Sequence, residues 1–325
     1  MSRWRNRVKL AADYWAGRPE ARGYPISVTA ETTTRCNLNC PMCLRVRDDL
    51  PPRDMPLDLF ARLWNTGRPA FDHLILYGLG EPLCDPAFFA KAALAARRCA
   101  AVQVSTNALL LDEDRSRELL ETGVSQVIFS LDAARPETYA RLRPGGDYAA
   151  TVGHIEAFLR LNEERGRPVF TVVQLVVLPE NRAEIDEFRR RWDRPAVGAV
   201  RLKRDEVRPH DPAAKPARRA PCPVLWRGPF FVRADGAVHP CCHHHRAEPL
   251  GNLRTDKLAD LWNHPRLREL RRAHAVGQGN AVPHCDRCFL ETPSRVLTAL
   301  SFLPSIDLAQ RLLPWAERRL VPAAP

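Results

Sequence analysis

Apolar positions in this chain fall into short runs separated by stretches with helical spacing. The runs at 26–30, 73–77, 102–105, 126–130, 169–177 and 199–202 each read as a strand. Between them, at 56–65, 86–99, 112–121, 148–163 and 182–192, apolar residues recur every three or four positions and predict helices. The 112–121 segment opens with acids in its first turn, and Gly123 follows as a stop. Strands with helices between them predict a parallel sheet with helices outside. Successive crossovers share one hand. The α/β sheet is therefore expected to curl into a partial (β/α)6 barrel of TIM type, its site built from loops at the strand C-terminal ends.

The pattern stops at 208–221, a Pro- and Arg-rich stretch without periodicity that reads as a linker. Beyond it lies a small cysteine-rich unit. It contains an expected hairpin, 230–233 against 237–239, turned by Asp235-Gly236. A helical run over 257–273 follows, broken at Pro265. The expected organisation is an extension at 1–25, a barrel core at 26–207, the linker, the cysteine-rich domain at 222–290 and a tail at 291–325.

The chain has 325 residues, 45% of them hydrophobic, enough for a globular core. Apolar stretches are broken well before the roughly 18–20 residues of a membrane span. The basic start MSRWRNRVKL carries no apolar segment of a secretory signal, so a cytoplasmic location is expected. Net charge is +11, but Asp and Glu are interspersed with the Arg as on an ordinary solvated face. No nucleic-acid partner is expected. The tail at 296–320 is apolar with Arg311, Arg318 and Arg319. It is expected to pack as a helix on the barrel; the alternative is peripheral contact with a membrane surface.

Ten cysteines change the picture, because they cluster. Without a signal peptide, clustered cysteines read as metal ligands rather than disulfides. Cys36, Cys40 and Cys43 lie within eight residues just after the first strand. A cubane needs four ligands, so three thiolates leave one iron open. A structural zinc site wants a nearby fourth Cys or His, which the adjacent loop lacks.

This C-x3-C-x2-C spacing resembles the signature of the radical S-adenosylmethionine (radical SAM) superfamily. The resemblance implies a 4Fe–4S cluster on Cys36, Cys40 and Cys43 whose open iron chelates S-adenosylmethionine (AdoMet). Reductive cleavage then yields a 5′-deoxyadenosyl radical that abstracts hydrogen. Further pieces resemble the family in order. Gly78-Leu79-Gly80-Glu81-Pro82 is similar to its Gly-Gly-Glu-Pro turn, with Leu79 as a departure. There Glu81 would meet the cosubstrate ammonium, and Gly78 and Gly80 would permit close approach. Ser105-Thr106-Asn107 follows the third strand, Ser130-Leu131-Asp132 the fourth, and Arg143 precedes Gly145-Gly146. The resemblance places Ser105, Asn107, Ser130 and Arg143 around AdoMet, serine and arginine on its carboxylate. Met42 stands where relatives carry an aromatic residue against adenine.

Cys222, Cys241, Cys242, Cys285 and Cys288 resemble the SPASM or shorter twitch extension, which holds an auxiliary cluster. Cys222, Cys241, Cys285 and Cys288 are the expected ligands of one further 4Fe–4S cluster, and full ligation suits it to electron transfer. A zinc ribbon would use the same four thiolates. His243, His244 and His245 could serve as zinc ligands but are expected to be exposed loop residues, and Cys84 and Cys99 buried small hydrophobes. Neighbouring side chains on extended backbone face opposite ways, so Cys242 points away from Cys241. It is a spare thiol, the auxiliary-cluster ligand in place of Cys241, or a catalytic hydrogen-atom donor.

Together these imply a radical SAM oxidoreductase with two 4Fe–4S clusters and AdoMet, served by a reductant such as flavodoxin or ferredoxin. Only about 25 residues precede the first strand, fewer than the roughly 40 an independent peptide-recognition domain needs. The expected substrate is therefore a small molecule or sugar. The single auxiliary cluster resembles that of the aminocyclitol alcohol dehydrogenases, which implies dehydrogenation, or else epimerisation, of a carbinol carbon. The alternatives are a maturase of a ribosomal peptide and an iron–sulfur electron carrier.

Overall fold

The structure, a computed structural model, describes residues 2–65, 71–204, 220–286, 288, 298, 301 and 302. Among these lie nine strands: β1 (Ser27–Ala30), β2 (His73–Leu76), β3 (Ala101–Thr106), β4 (Gln126–Ser130), β5 (Phe170–Val177), β6 (Ala199–Arg204), β7 (Phe230–Val232), β8 (Ala237–His239) and β9 (Gly251–Asn252). The chain divides into two compact units. One comprises the described residues of 1–31, 55–78 and 209–305, the other those of 32–54 and 79–208.

In the second unit β3, β4, β5 and β6 pair in parallel in chain order. Val127 lies beside Val104 and Val172 beside Ile128, and β4 is buried along nearly its whole length. Such continuous burial is what a parallel strand covered on both faces requires. Helices at Phe88–Arg98, Glu113–Glu121, Tyr148–Glu164 and Ile185–Trp192 supply the cover. Asp112 and Asp147 cap two of them, accepting from Arg115 N (2.9 Å) and Ala150 N (3.0 Å). Such caps stabilise a helix by about 1 kcal/mol each. Phe158 packs edge-on against Phe129 with ring centroids 5.3 Å apart. A short helix at Pro136–Leu142, begun by a proline at its first turn, was not expected from the pattern.

In the first unit β1 is wholly buried and pairs in parallel with β2 on one side and β7 on the other. The hairpin forms as expected. β7 and β8 are antiparallel, and Gly236 takes φ +90° in the turn, where a side chain would be strained. β9 extends this edge. The helical run splits at the expected proline into Leu258–Leu261 and Pro265–Ala275. Arg271 of the second helix is fully buried. It is held by the carbonyls of Leu225 (2.8 Å), Pro19 (3.0 Å) and Trp262 (3.0 Å). These oxygens offset the cost of burying a guanidinium.

Residues 3–15, read from sequence only as an extension, form a helix capped by Ser2. Its buried face includes Leu10, Tyr14 and Arg7, and Arg7 pairs with Asp72 at 2.7 Å. Of the 208–221 linker only 220 and 221 are described. The 296–320 tail lies outside the described residues apart from Thr298, Ser301 and Phe302. Phe302 is buried, its ring 5.6 Å from that of Tyr14. No helix among the described residues is long and apolar enough to cross a membrane.

Candidate functional site

Residues 32–54 fold as one loop pinned along its length. Thr34 N donates to Arg53 O (2.8 Å) and Arg53 N to Thr34 Oγ1 (2.8 Å). Leu38 is buried and anchors the middle. Arg45 reaches back to Leu38 O (2.7 Å) and Asn39 Oδ1 (2.9 Å). Cys43 N donates to Cys40 O (3.0 Å), closing the turn that carries half-buried Met42.

The three thiols of this loop are neighbours. Burial pushes Cys40 up to about 11, and Cys43 and Cys36 add to the rise. Cys36 is raised as well, first by burial, then by Glu81 and Cys43. The metal-free loop therefore keeps Cys36 and Cys40 as thiols, and a metal group would displace their protons on binding. Among the described residues no three His, Cys, Asp or Glu side chains close on a point fit for a single ion.

The Gly-Glu-Pro turn packs onto the base of the cysteine loop. Glu81 N donates to Arg35 O (2.8 Å). A Cβ on Gly80 would lie 2.2 Å from Thr33 O and 2.7 Å from Arg35 O, both backbone atoms. Gly78 sits close against Glu31, where an added Cβ would meet its side chain at 2.6 Å. Gly80→Ala is therefore expected to lower stability by at least the ~1–3 kcal/mol of overpacking. The iron content of the purified protein should fall with it. An unchanged melting temperature would refute the close approach.

Glu81 is 3% exposed and already well bonded. Its Oε1 accepts from Thr106 Oγ1 (2.7 Å) and Leu83 N (3.1 Å), its Oε2 from Asn107 N (2.7 Å). Burial raises its pKa, and these bonds oppose the rise. A carboxylate accepts about four hydrogen bonds, so one position is left for a ligand. Most of Glu81's capacity goes to clamping the loop after β3. Asn107 continues that clamp, its Nδ2 donating to Asn37 Oδ1 (2.8 Å) with Cys36 Sγ at 4.0 Å.

At the end of the next strand Ser130 Oγ lies 3.4 Å from Ser105 Oγ. Arg143 is 6% exposed, and its Nη2 donates to Asp132 Oδ2 (2.6 Å). Its Nε is buried with no hydrogen-bond partner among the described residues. Burial opposes its charge, but Asp132, Cys40 and Tyr139 outweigh burial and hold the guanidinium ionised. Asp132 itself sits at φ +62°, with Oδ1 accepting from Val176 N (2.8 Å). This anchor was not expected from sequence. The available signal was an acid placed directly after a buried apolar strand. The donor set fits an iron–sulfur cluster with a carboxylate-bearing ligand: three adjacent thiols, and an unspent guanidinium N–H on a side chain within electrostatic reach of Cys40.

The second cysteine set lies in the other unit. Cys241 follows β8 in extended conformation (φ −165°, ψ 174°), and burial pushes its thiol well up, with Cys242, Cys222 and Cys285 adding. Cys285 and Cys288 are both buried, and Cys288 N donates to Cys285 O (3.3 Å). Cys222 N donates to His274 Nδ1 (3.3 Å). Cys242 is exposed.

Two expectations need correction. His244 and His245 are buried, not exposed, because Cys242–His244 forms a 3-10 turn that folds them inward. His245 Nδ1 bonds Cys242 O (2.7 Å), and His244 Nε2 lies 3.3 Å from Cys285 Sγ. Cys84 and Cys99 are half-buried rather than core residues. Cys84 follows the Gly-Glu-Pro turn, its Sγ 3.9 Å from Asn37 Oδ1, and Cys99 ends a helix.

Comparison with known proteins agrees with this arrangement. The model of the radical SAM superfamily matches residues 30–191, and that of an iron–sulfur cluster-binding domain, SPASM, matches 222–289. The chain is 26% identical over 318 residues to the tungsten-containing aldehyde ferredoxin oxidoreductase cofactor-modifying protein of Pyrococcus furiosus, covering 80% of this chain and 86% of that one. It is 25% identical over 170 residues to mycofactocin maturase MftC of Mycobacterium ulcerans, covering 52% of this chain and 45% of that protein. The solved structure of native anSMEcpe with bound AdoMet and Cp18Cys peptide shares the fold. Its TM-score is 0.59 at 15% identity, over 89% of this chain and 99% of that one. The α/β architecture is thus the partial barrel, with β1 and β2 parallel in one unit and β3 to β6 parallel in the other. The thiol loop and the Gly-Glu-Pro turn lie within the first matched segment and the C-terminal cysteines within the second, and the chain belongs to the radical SAM superfamily as an AdoMet- and iron–sulfur-dependent enzyme with a C-terminal SPASM domain.

Proposed function

We propose that this protein dehydrogenates a carbinol carbon of a small molecule or sugar. The carrying observation is the C-terminal thiol set, in which Cys241 shares its surroundings with Cys222 and Cys285, and Cys285 and Cys288 are buried in one turn. Cys222, Cys241, Cys285 and Cys288 would satisfy every iron of a 4Fe–4S cluster and leave none for substrate. Such a cluster takes up an electron. The similarity to a cofactor-modifying protein supports a small-molecule substrate.

Cys36, Cys40 and Cys43 would hold the N-terminal cluster, which with AdoMet supplies one-electron cleavage and hydrogen-atom abstraction when bound. Arg143 would take the AdoMet carboxylate, with Ser130 beside it. Glu81 and Asn107 hold the loops that frame the cosubstrate, and Met42 lies in the cysteine turn where adenine would pack. The balance would be one hydrogen atom from carbon to the adenosyl group, one proton to solvent and one electron to the auxiliary cluster. The carbinol becomes a carbonyl. A small electron-transfer protein, flavodoxin or ferredoxin, would deliver the reducing electron.

The test is a panel of carbon-deuterated polyols and aminocyclitols incubated with the reduced, reconstituted enzyme and AdoMet. Deuterium is expected in 5′-deoxyadenosine, with a product two hydrogens lighter. A second reading, modification of a ribosomal peptide, is favoured by the match to a maturase. Deuterium arriving only from labelled peptide would establish it and overturn the first. Exposed Cys242 separates dehydrogenation from epimerisation. Cys242→Ala is expected to keep both clusters and full turnover. Lost turnover, with solvent deuterium entering the wild-type product, would instead mark an epimerase that needs this thiol as donor.

A further inference from the structure

We propose that His244 donates a hydrogen bond from Nε2 to the sulfur of Cys285 and thereby raises the reduction potential of the auxiliary cluster. This rests on the reading of Cys285 as a cluster ligand. His244 Nε2 lies 3.3 Å from Cys285 Sγ, and the residue is 5% exposed. Its position is fixed from several sides. The 3-10 turn Cys242–His244 carries it, its N–H donates to Cys241 O (3.1 Å), and its ring packs 5.4 Å from that of His284.

The direction of the bond follows from the chemistry. A metal-bound cysteine sulfur carries no proton and can only accept. The nitrogen facing it must therefore carry the hydrogen, whichever protonation state the ring holds. An N–H aimed at a ligand sulfur withdraws charge from the cluster. Reduction adds one negative charge, so the bond strengthens in the reduced state and favours it. A raised potential makes the cluster a better acceptor for an electron leaving a substrate carbon. His244 contacts the Cys285 sulfur in this structure. It is a positioning residue acting through Cys285.

The test is a potentiometric EPR titration of the full-length reconstituted protein, repeated in the Cys36/Cys40/Cys43→Ala background to assign the auxiliary signal. His244→Phe keeps a ring of similar size but removes the donor. It is expected to shift the oxidised-to-reduced ratio at the wild-type midpoint about tenfold toward oxidised, about 59 mV for one electron. Auxiliary iron should be unchanged. His244→Gln offers an amide N–H and should recover much of the shift. In wild-type protein exchanged into heavy water, pulsed EPR should detect a deuteron near the reduced cluster that His244→Phe lacks. An unmoved midpoint at full iron occupancy would overturn the proposal. So would a strong nitrogen coupling, which would make His244 a ligand. If His244→Phe loses iron, the His244→Gln midpoint and the wild-type deuteron signal decide. Retention of auxiliary iron in Cys285→Ala would show separately that the ligand reading, not the hydrogen bond, is at fault.

Discussion

Replacing Cys36, Cys40 and Cys43 together by alanine is expected to leave one cluster on the protein and no detectable cleavage of AdoMet. Reconstituted wild-type protein should hold about eight irons per chain and the triple variant about four. The fold should survive. The loop is held by Leu38, by Arg45 on Leu38 O and Asn39, and by the Thr34–Arg53 bonds, none of which uses a thiol. Alanine also removes thiols already burdened by burial, Cys40 most plainly at about 11. Iron assay with Mössbauer spectroscopy counts the clusters, and chromatography of 5′-deoxyadenosine reads cleavage. Eight irons retained would remove these cysteines from the N-terminal site. No iron retained in a folded protein would refute the C-terminal ligand set.

The two thiol sets stand out in the sequence because clustered cysteines read as metal ligands rather than disulfides. Three cysteines in eight residues can serve one group whatever surrounds them, and a hydrophobic period survives most tertiary contexts. The strands and the Asp235-Gly236 hairpin were legible for the same local reason. What escaped was decided by packing. His244 sits in a run of three histidines that reads as polar loop. Only the inward fold of its short turn brings it against Cys285. Glu81 reads as a ligand for an ammonium, yet three of its hydrogen bonds go to Thr106, Leu83 and Asn107. Those partners lie 2 to 26 positions away, and nothing in a local window ties them together. The N-terminal helix was missed because its core-facing side includes Arg7 and Asp13, whose burial depends on Asp72 and Arg22.

Arg143 and Asp132 show the same long-range logic and give the sharpest test of the cosubstrate site. Arg143 Nη2 spends one bond on Asp132 (2.6 Å), while Nε stays buried without a partner among the described residues. A guanidinium has five donors in a rigid fork, so the Nε N–H remains available to a carboxylate oxygen. Arg143→Met should do two separable things. It leaves Asp132 as an unpaired buried charge, costing about 3–5 kcal/mol of stability. If Arg143 takes the AdoMet carboxylate as proposed, the variant also loses a charged hydrogen bond worth about 1.5–3 kcal/mol, roughly a tenfold to hundredfold rise in Kd. Adding Asp132→Asn removes the orphaned charge and keeps an oxygen for Val176 N. The double variant should therefore recover most of the lost melting temperature and none of the lost affinity. Arg143→Lys should hold the charge but not the fork, giving near-normal stability with weakened binding. Thermal melts and equilibrium dialysis of AdoMet under anaerobic conditions separate the two effects. If the double variant binds AdoMet as wild type does, Arg143 serves only Asp132, and the carboxylate is held elsewhere.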